Sequence, residues 1–140
     1  MSNTLIFGPI LAMVSLTFMV LLLIPFMRIT AVKNGNVKIK EYRYGDTDSV
    51  PERARLLNRN YINLLEIPVL FYLVCICYFL INQVNEVVLY LAWSYVAFRV
   101  IHSYIHILYN NVQHRFAAFA LSNVVLIILW VNFAAFYISA

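Results

Sequence analysis

The sequence predicts an all-α integral membrane protein, a four-helix bundle in which residues 1–140 form one domain. Three observations carry this. Of the 140 residues, 64% are hydrophobic and only 11% charged, more apolar surface than a soluble domain of this size can bury. Four largely apolar segments, near residues 5–27, 51–81, 87–109 and 116–137, are each long enough to cross about 30 Å of hydrocarbon as a helix. The cations fall almost wholly in two of the links between these segments.

The first segment lacks a basic n-region and a small-residue cleavage site, so it reads as a spanning helix rather than a signal peptide. Gly8-Pro9 lies in its first turns, where proline is tolerated, and Pro25 bends its far end. A polar link follows from Arg28 to about Pro51, with a turn at Asn34-Gly35. The stretch 48–52 resembles a helix start, with Pro51 near the first helical position. The second segment is polar in its first turns and apolar thereafter, and Pro68 places a kink just beyond Glu66. The link at 82–86 is short, which makes segments two and three antiparallel neighbours. Cys75 and Cys77 stand two apart in one helix and do not face each other, so packing is favoured over a disulfide or a shared metal.

Charge sets topology. Arg28, Lys33, Lys38, Lys40, Arg43, Arg53, Arg55 and Arg59 belong to the first link and the base of segment two, and Arg115 to the third link. The second link and both termini carry no Lys or Arg. Positive-inside bias therefore puts links one and three in the cytoplasm and both termini on the other side. These cations read as topology signals, and no nucleic-acid partner is expected.

The chemistry-bearing stretch runs from Arg55 to Pro68. Arg55, Arg59, Asn63 and Glu66 are spaced four, four and three apart, which stacks them on one helical face. Glu66 opens a run without charge, where a carboxylate is costly unless a cation or donor meets it. Segment three carries Arg99, His102 and His106 at spacings of three and four, again on one face, with Tyr95 one turn from Arg99. Arg99 is roughly 15 Å and Glu66 roughly 10 Å from the cytoplasmic end at the helical rise. Antiparallel helices two and three could thus bring the two charges together. One reading is an intramembrane salt bridge that fixes packing. The other is a polar cavity open to the cytoplasm and lined by Arg59, Asn63, Glu66, Arg99, His102 and His106. The i, i+4 spacing of His102 and His106 would suit two zinc ligands, yet no glutamate follows His102 and no cysteine or aspartate lies nearby. No metal is expected, and hydrogen-bonded interior histidines are the favoured reading.

The pattern Glu52-Arg53, Arg59-x-x-x-Asn63-x-x-Glu66 with a nearby proline, and Arg99-x-x-His102 resembles the MAPEG proteins, the membrane-associated proteins in eicosanoid and glutathione metabolism. It looks most like the bacterial branch and its microsomal glutathione transferase-like members, which implies a bacterial inner membrane. The resemblance covers essentially the whole chain. It implies a homotrimer that binds glutathione near the cytoplasmic side, between subunits. Arg59, Asn63 and Glu66 would then hold the backbone and charged ends of glutathione, with Arg99, His102 and His106 along helix three as further cofactor-site positions. Arg115 resembles the arginine that stabilises the thiolate, the catalytic role, and Arg28 stands near the place of a basic residue at the end of helix one. There are departures. His106 stands where better-known members carry a tyrosine, and Phe116 and Phe119 stand where the prostaglandin synthase member has serine and tyrosine. These argue against prostaglandin synthesis.

The ladder also makes sense without the name. Glutathione carries two carboxylates, an ammonium and a thiol, so its site needs cations, a carboxylate and amide groups. A thiol of pKa about 8.5 is mostly protonated at neutral pH, and a nearby arginine favours the nucleophilic thiolate. The expected function is conjugation of glutathione to a lipophilic electrophile drawn from the bilayer, or reduction of a lipid hydroperoxide. The alternatives are a non-catalytic membrane oligomer whose polar ladder is structural, and a small ion- or proton-handling protein using Glu66, Arg99 and the histidines.

Overall fold

A short 3-10 turn at Asn3–Ile6 leads into α1 (Phe7–Lys33), the first of four helical rods; the computed structural model describes residues 2–35, 37–44 and 50–139. The helix runs through Pro25 and continues six residues past Met27, so Arg28 and Lys33 stand on helix rather than in a loop. It stops where the sequence predicts a turn. The amides of Asn34 and Gly35 bond back to Thr30 and Val32, each at 3.0 Å, and Gly35 takes φ +72°, a conformation glycine adopts without strain. The chain then forms a 3-10 helix at Ile39–Tyr44.

Of the predicted helix start at 48–52, Asp48 and Ser49 lie outside the described residues. Pro51 caps α2 (Glu52–Glu66), which is followed by α3 (Pro68–Leu80). The two are one rod broken at Ile67. Pro68 has no N–H to return to the carbonyl of Leu64, so the helix restarts with Pro68 in its first turn, a position that tolerates the missing donor.

Asparagines punctuate both remaining links. Asn82 (φ 56°) and Asn110 (φ 46°) take left-handed conformations after α3 and α4. The Asn85 side chain accepts the amide of Val88 at 3.0 Å and starts α4 (Glu86–Leu108). The Asn111 side chain accepts the amides of Gln113 and His114 at 3.0 and 3.1 Å and starts α5 (Val112–Ser139). The last predicted segment, α5, thus begins at Val112 rather than near 116, and Arg115 belongs to its first turns instead of the preceding link.

Packing is most extensive between α4 and α5; α1 lies along α2 and α4, and α3 along α5. The interior is built from residues such as Met13, Val20, Leu64, Phe71, Val74, Tyr95 and Leu129. Phe71 of α3 stacks on Tyr95 of α4 with ring centroids 4.4 Å apart. Close approach also joins α1 to α4, since a Cβ on Gly8 would sit 3.2 Å from the Trp93 indole. At the same end Asn3 donates to the Asn82 side chain at 2.8 Å, so the N-terminal turn and the second link share one end of the bundle. Cys75 is buried, Cys77 partly so, and both are free.

The outer surface carries exposed Leu11, Phe18, Leu22, Phe26, Leu73, Ile127 and Val131, an apolar coat that suits lipid rather than water. Among the described residues, three rods are long and apolar enough to cross a membrane: Asn3–Lys33, Glu52–Leu80 and Val112–Ile138. The fourth, α4, has 23 residues and carries Arg99, His102 and His106, all turned inward and buried. Interior placement is the arrangement that lets a helix with such groups sit within a bilayer. The architecture is therefore an all-α integral membrane four-helix bundle.

Candidate functional site

The geometry of the site begins with the two faces of α2. Ala54, Leu57, Asn60 and Leu64 recur every three to four residues and are buried against the bundle. Arg55, Arg59, Asn63 and Glu66 occupy roughly the opposite side, where Arg59 and Glu66 are exposed and Asn63 half-buried. The polar ladder is real as a helical face, and it points away from the packing face of its own protomer.

A cavity of about 390 Å³ lies where α2, α4 and α5 come together. Arg59, Ile62 and Asn63 line it from α2, His102 and His106 from α4, and Val112, Arg115, Phe116 and Phe119 from α5. Five of the seven residues singled out in the sequence are thus gathered here: Arg59, Asn63, His102, His106 and Arg115. Glu66 and Arg99 are not among the lining residues.

The salt bridge that one reading of the sequence placed between Glu66 and Arg99 is not formed among the described residues. Arg99 is fully buried, while Glu66 is exposed, about 120° around α2 from the buried Asn60. The residue that α2 turns towards α4 is Asn60, which accepts the Ser103 hydroxyl at 3.2 Å in a buried contact. Arg99 instead bonds within its own helix, its Nε donating to the Tyr95 hydroxyl at 3.1 Å. Its guanidinium carbon lies 5.5 Å from the Tyr95 ring centre and 5.3 Å from that of Phe119. Both terminal nitrogens are buried with no hydrogen-bond partner among the described residues. A guanidinium held only by two rings and one hydroxyl is costly to bury.

Two contacts fix the α4 and α5 walls relative to each other. His102 Nδ1 lies 3.0 Å from the backbone oxygen of Arg115. A carbonyl only accepts, so Nδ1 carries the hydrogen, and in the neutral ring Nε2 is then the acceptor nitrogen. That Nε2 is buried without a hydrogen-bond partner among the described residues, as is Nδ1 of His106. Arg115 in turn donates from Nη1 to the Asn110 side chain at 2.6 Å, a charge-assisted bond that orients the guanidinium from the preceding turn. Neighbouring this cavity is a smaller polar recess of about 170 Å³ lined by Glu52, Arg55, Leu56, Arg59 and Asn110. Arg59 borders both spaces.

The arrangement is chemically one-sided. The cavity lining presents two guanidinium groups, an amide and two imidazoles, and no carboxylate among the described residues. It favours an anion with several acceptor oxygens. Among the described residues, no three of the histidine, cysteine, aspartate and glutamate side chains come together as ligands for a metal ion.

Sequence reasoning missed Asn60 and Ser103, which join α2 to α4, and the aromatic wall of Phe116 and Phe119 as cavity lining. Asn60 carries a signal in hindsight, a polar residue within the stripe formed by Ala54, Leu57 and Leu64. Phe119 follows Arg115 by four residues and so shares its face.

No curated protein and no solved structure matches the chain. The family model for MAPEG proteins matches residues 7–135, from the first residue of α1 to within four residues of the end of α5, and the chain belongs to the MAPEG family.

Proposed function

We propose that the protein is a membrane-bound glutathione transferase-like enzyme that joins glutathione to a lipophilic electrophile or uses it to reduce lipid hydroperoxides. The observation that carries this reading is the composition of the 390 Å³ cavity, where Arg59 and Arg115 stand with Asn63, His102 and His106 in a lining otherwise apolar. Its size falls in the range of small-molecule sites. The Arg59 guanidinium matches the carboxylates of glutathione and leaves Arg115 for the thiol. The ammonium has two candidate partners close by. Glu66 lies three residues beyond Asn63 on the same helical face, and Glu52 lines the recess that shares Arg59.

Arg115 is the group assigned to the thiol. It remains charged in any environment and so stabilises a thiolate without taking the proton. In conjugation the thiolate sulfur forms a bond to an electrophilic carbon, and the displaced group leaves or a proton adds to the neighbouring atom. In peroxide reduction two glutathione molecules are oxidised to the disulfide while the hydroperoxide becomes alcohol and water. Phe116 and Phe119 supply the apolar side of the cavity, on which a lipophilic second substrate can rest.

The assembly that suits this reading is a homotrimer in a bacterial inner membrane, with both termini away from the cytoplasm. Exposed Arg59 and Glu66 on a spanning rod favour it, because charges facing lipid are expensive and a neighbouring subunit would cover them. Glutathione-dependent thermal stabilisation in detergent tests the function. A ligand of the folded protein raises apparent stability with concentration by mass action. Loss of that shift in Arg59→Gln, with the trimer intact by native mass spectrometry, is the expected result. A wild type that shows no shift would leave the ladder as packing.

A further inference from the structure

A thiol that reacts as thiolate must give up its proton, and the candidate cavity holds few groups that can take it. Arg59 and Arg115 stay protonated near neutral pH and the Asn63 amide is no base, which leaves His102 and His106 among the lining residues. The structure separates these two. His102 uses its Nδ1 on the backbone oxygen of Arg115 at 3.0 Å, and its Nε2 is enclosed. His106 has its Nδ1 enclosed with no hydrogen-bond partner among the described residues, so Nε2 is the ring nitrogen able to exchange a proton with the cavity that His106 lines.

Its place in the fold suits that exchange. His106 stands two residues before the end of α4 at Leu108, and Arg115 stands three residues after the start of α5 at Val112. The chain reverses between them, so both lie within about 5 Å of the same helix ends at 1.5 Å per residue. The His102 and His106 rings meet edge to face with centroids 5.7 Å apart, and His102 ties this part of α4 to the Arg115 backbone. The titratable and charged groups that face His106 are Arg59 from α2, His102 on its own helix and Arg115 from α5. No carboxylate lines the cavity among the described residues. A proton on His106 therefore finds its counter-charge in the thiolate made by the same transfer, and the two charges form as a pair.

Resting on the glutathione reading, we propose that His106 takes the thiol proton at Nε2 and returns it to the product, which suits the cavity to activated alkenes such as an enal with an alkyl tail. The S–H bond breaks and an N–H bond forms at Nε2. The sulfur then bonds to the far carbon of the alkene, and the π electrons pass to the carbonyl oxygen. The imidazolium gives its proton to the resulting enolate, and His106 is neutral again. Such an addition reverses until the enolate is protonated, so a proton held beside it completes the reaction. A halide displaced by the thiolate leaves as an anion and needs no proton. Phe116 and Phe119 receive the alkyl tail.

The test uses the whole protein in a non-ionic detergent with glutathione, an alkyl enal and an aryl halide. In weak buffer near neutral pH, bound thiolate is counted by its ultraviolet absorbance and released protons by an indicator dye. Wild type should form thiolate with little proton release, because His106 keeps the proton. H106Q should release one proton for each thiolate that it still forms. Its turnover of the enal near neutral pH should fall roughly 100-fold or more, the usual scale of acid–base catalysis, with the glutathione-induced thermal shift retained. Above the free thiol pKa of about 8.5 the base is no longer needed, so H106Q should approach wild type with the halide and still lag with the enal. Relative to free glutathione thiolate, wild type should accelerate the enal more than the halide, and the reverse order overturns the substrate class. A wild type that glutathione does not stabilise ends the glutathione reading and this one with it. A stabilised wild type that forms no thiolate or releases one proton for each thiolate, or H106Q with wild-type turnover near neutral pH, overturns this one alone. Should H106Q not fold, the wild-type proton count decides.

Discussion

Arg99 of α4 lies against Phe119 of α5, its guanidinium carbon 5.3 Å from the ring centre, and this ring stands between a buried cation and the candidate cavity. Phe119 lines the cavity and Arg99 does not, so the charge is next to the site without opening into it. The two terminal nitrogens of Arg99 have no hydrogen-bond partner among the described residues, an expensive state for a fully buried side chain.

That expense yields the first prediction. If Arg99 serves only to pack α4, replacing it by an apolar residue of similar length should relieve a penalty. Arg99→Met is expected to leave the bundle as stable as before or to stabilise it by about 1–4 kcal/mol, the range found when buried ionic groups give way to apolar ones. Unfolding in mixed detergent measures this. A loss of several kcal/mol would show that the guanidinium has a partner in the assembled protein, and parallel loss of glutathione affinity would identify that partner as the ligand.

The sequence was informative wherever one helix decides the outcome. The face shared by Arg55, Arg59, Asn63 and Glu66, the Tyr95–Arg99 contact one turn apart, the break before Pro68 and the Asn34-Gly35 turn all follow from periodicity or backbone chemistry. Relations between helices were less legible. Rise per residue places Glu66 and Arg99 at similar depths, yet depth says nothing about direction around the helix. Asn60, which does face α4, is six residues from Glu66, about 120° away around α2 at 3.6 residues per turn. The start of α5 was misplaced for a different reason. Asn110-Asn111 reads as a loop by composition, but the second asparagine is a helix cap, and that function extends the helix back to Val112.

The cap makes the second prediction. Asn111 satisfies two amides of the turn that carries Arg115. Asn111→Ala should cost about 1 kcal/mol of stability, within the usual 0.5–2 kcal/mol for a lost cap, whereas Asn111→Ser should retain most of it. Equal stability of the two variants in thermal or denaturant unfolding would mean that tertiary packing, rather than the cap, holds the start of α5.

A third prediction separates two carboxylates. Glu66 is exposed in the protomer and Glu52 lines the recess beside Arg59, so either can take the ammonium of glutathione. The group that does so should lose about 1.5–3 kcal/mol of glutathione binding on conversion to glutamine, the scale of a hydrogen bond to a charged group. The other should change binding little. Isothermal titration of Glu66→Gln and Glu52→Gln side by side decides it. Glu66→Gln that binds normally but no longer assembles would make Glu66 an interface residue.

Topology is tested without any ligand. The first link and the base of α2 hold eight of the ten Lys and Arg residues, Arg115 is a ninth, and the second link and both termini hold none. Reporter fusions after Ala140 and within the link at 82–85 should behave as external, and one near Gly45 as internal. Asn3 and Asn82 meet at one end of the bundle, so the N-terminus and the second link must report the same side. An internal signal at Ala140 would move the candidate cavity to the wrong face of the membrane for cytoplasmic glutathione.

The last prediction concerns Arg115, which separates a glutathione binder from an enzyme. Its guanidinium is held by Asn110 at 2.6 Å and its carbonyl by His102 at 3.0 Å, so both ends of the residue are positioned at the cavity wall. An arginine there favours the thiolate by charge and has no proton to exchange near neutral pH. A free thiol titrates near a pKa of about 8.5, and a neighbouring cation lowers that value, so wild-type protein should hold bound glutathione as thiolate at a pH where the free thiol is protonated. The thiolate absorbs in the ultraviolet, which lets the titration be followed directly. Arg115→Ala should move the bound thiol back towards its free value and reduce turnover, with little loss of affinity, since Arg59 remains for the carboxylates. Asn110→Ala leaves the charge and removes its anchor, so its titration should fall between wild type and Arg115→Ala. Identical titrations in all three proteins would leave Arg115 as a positive charge that sets topology, and its nearness to the cavity would carry no chemistry.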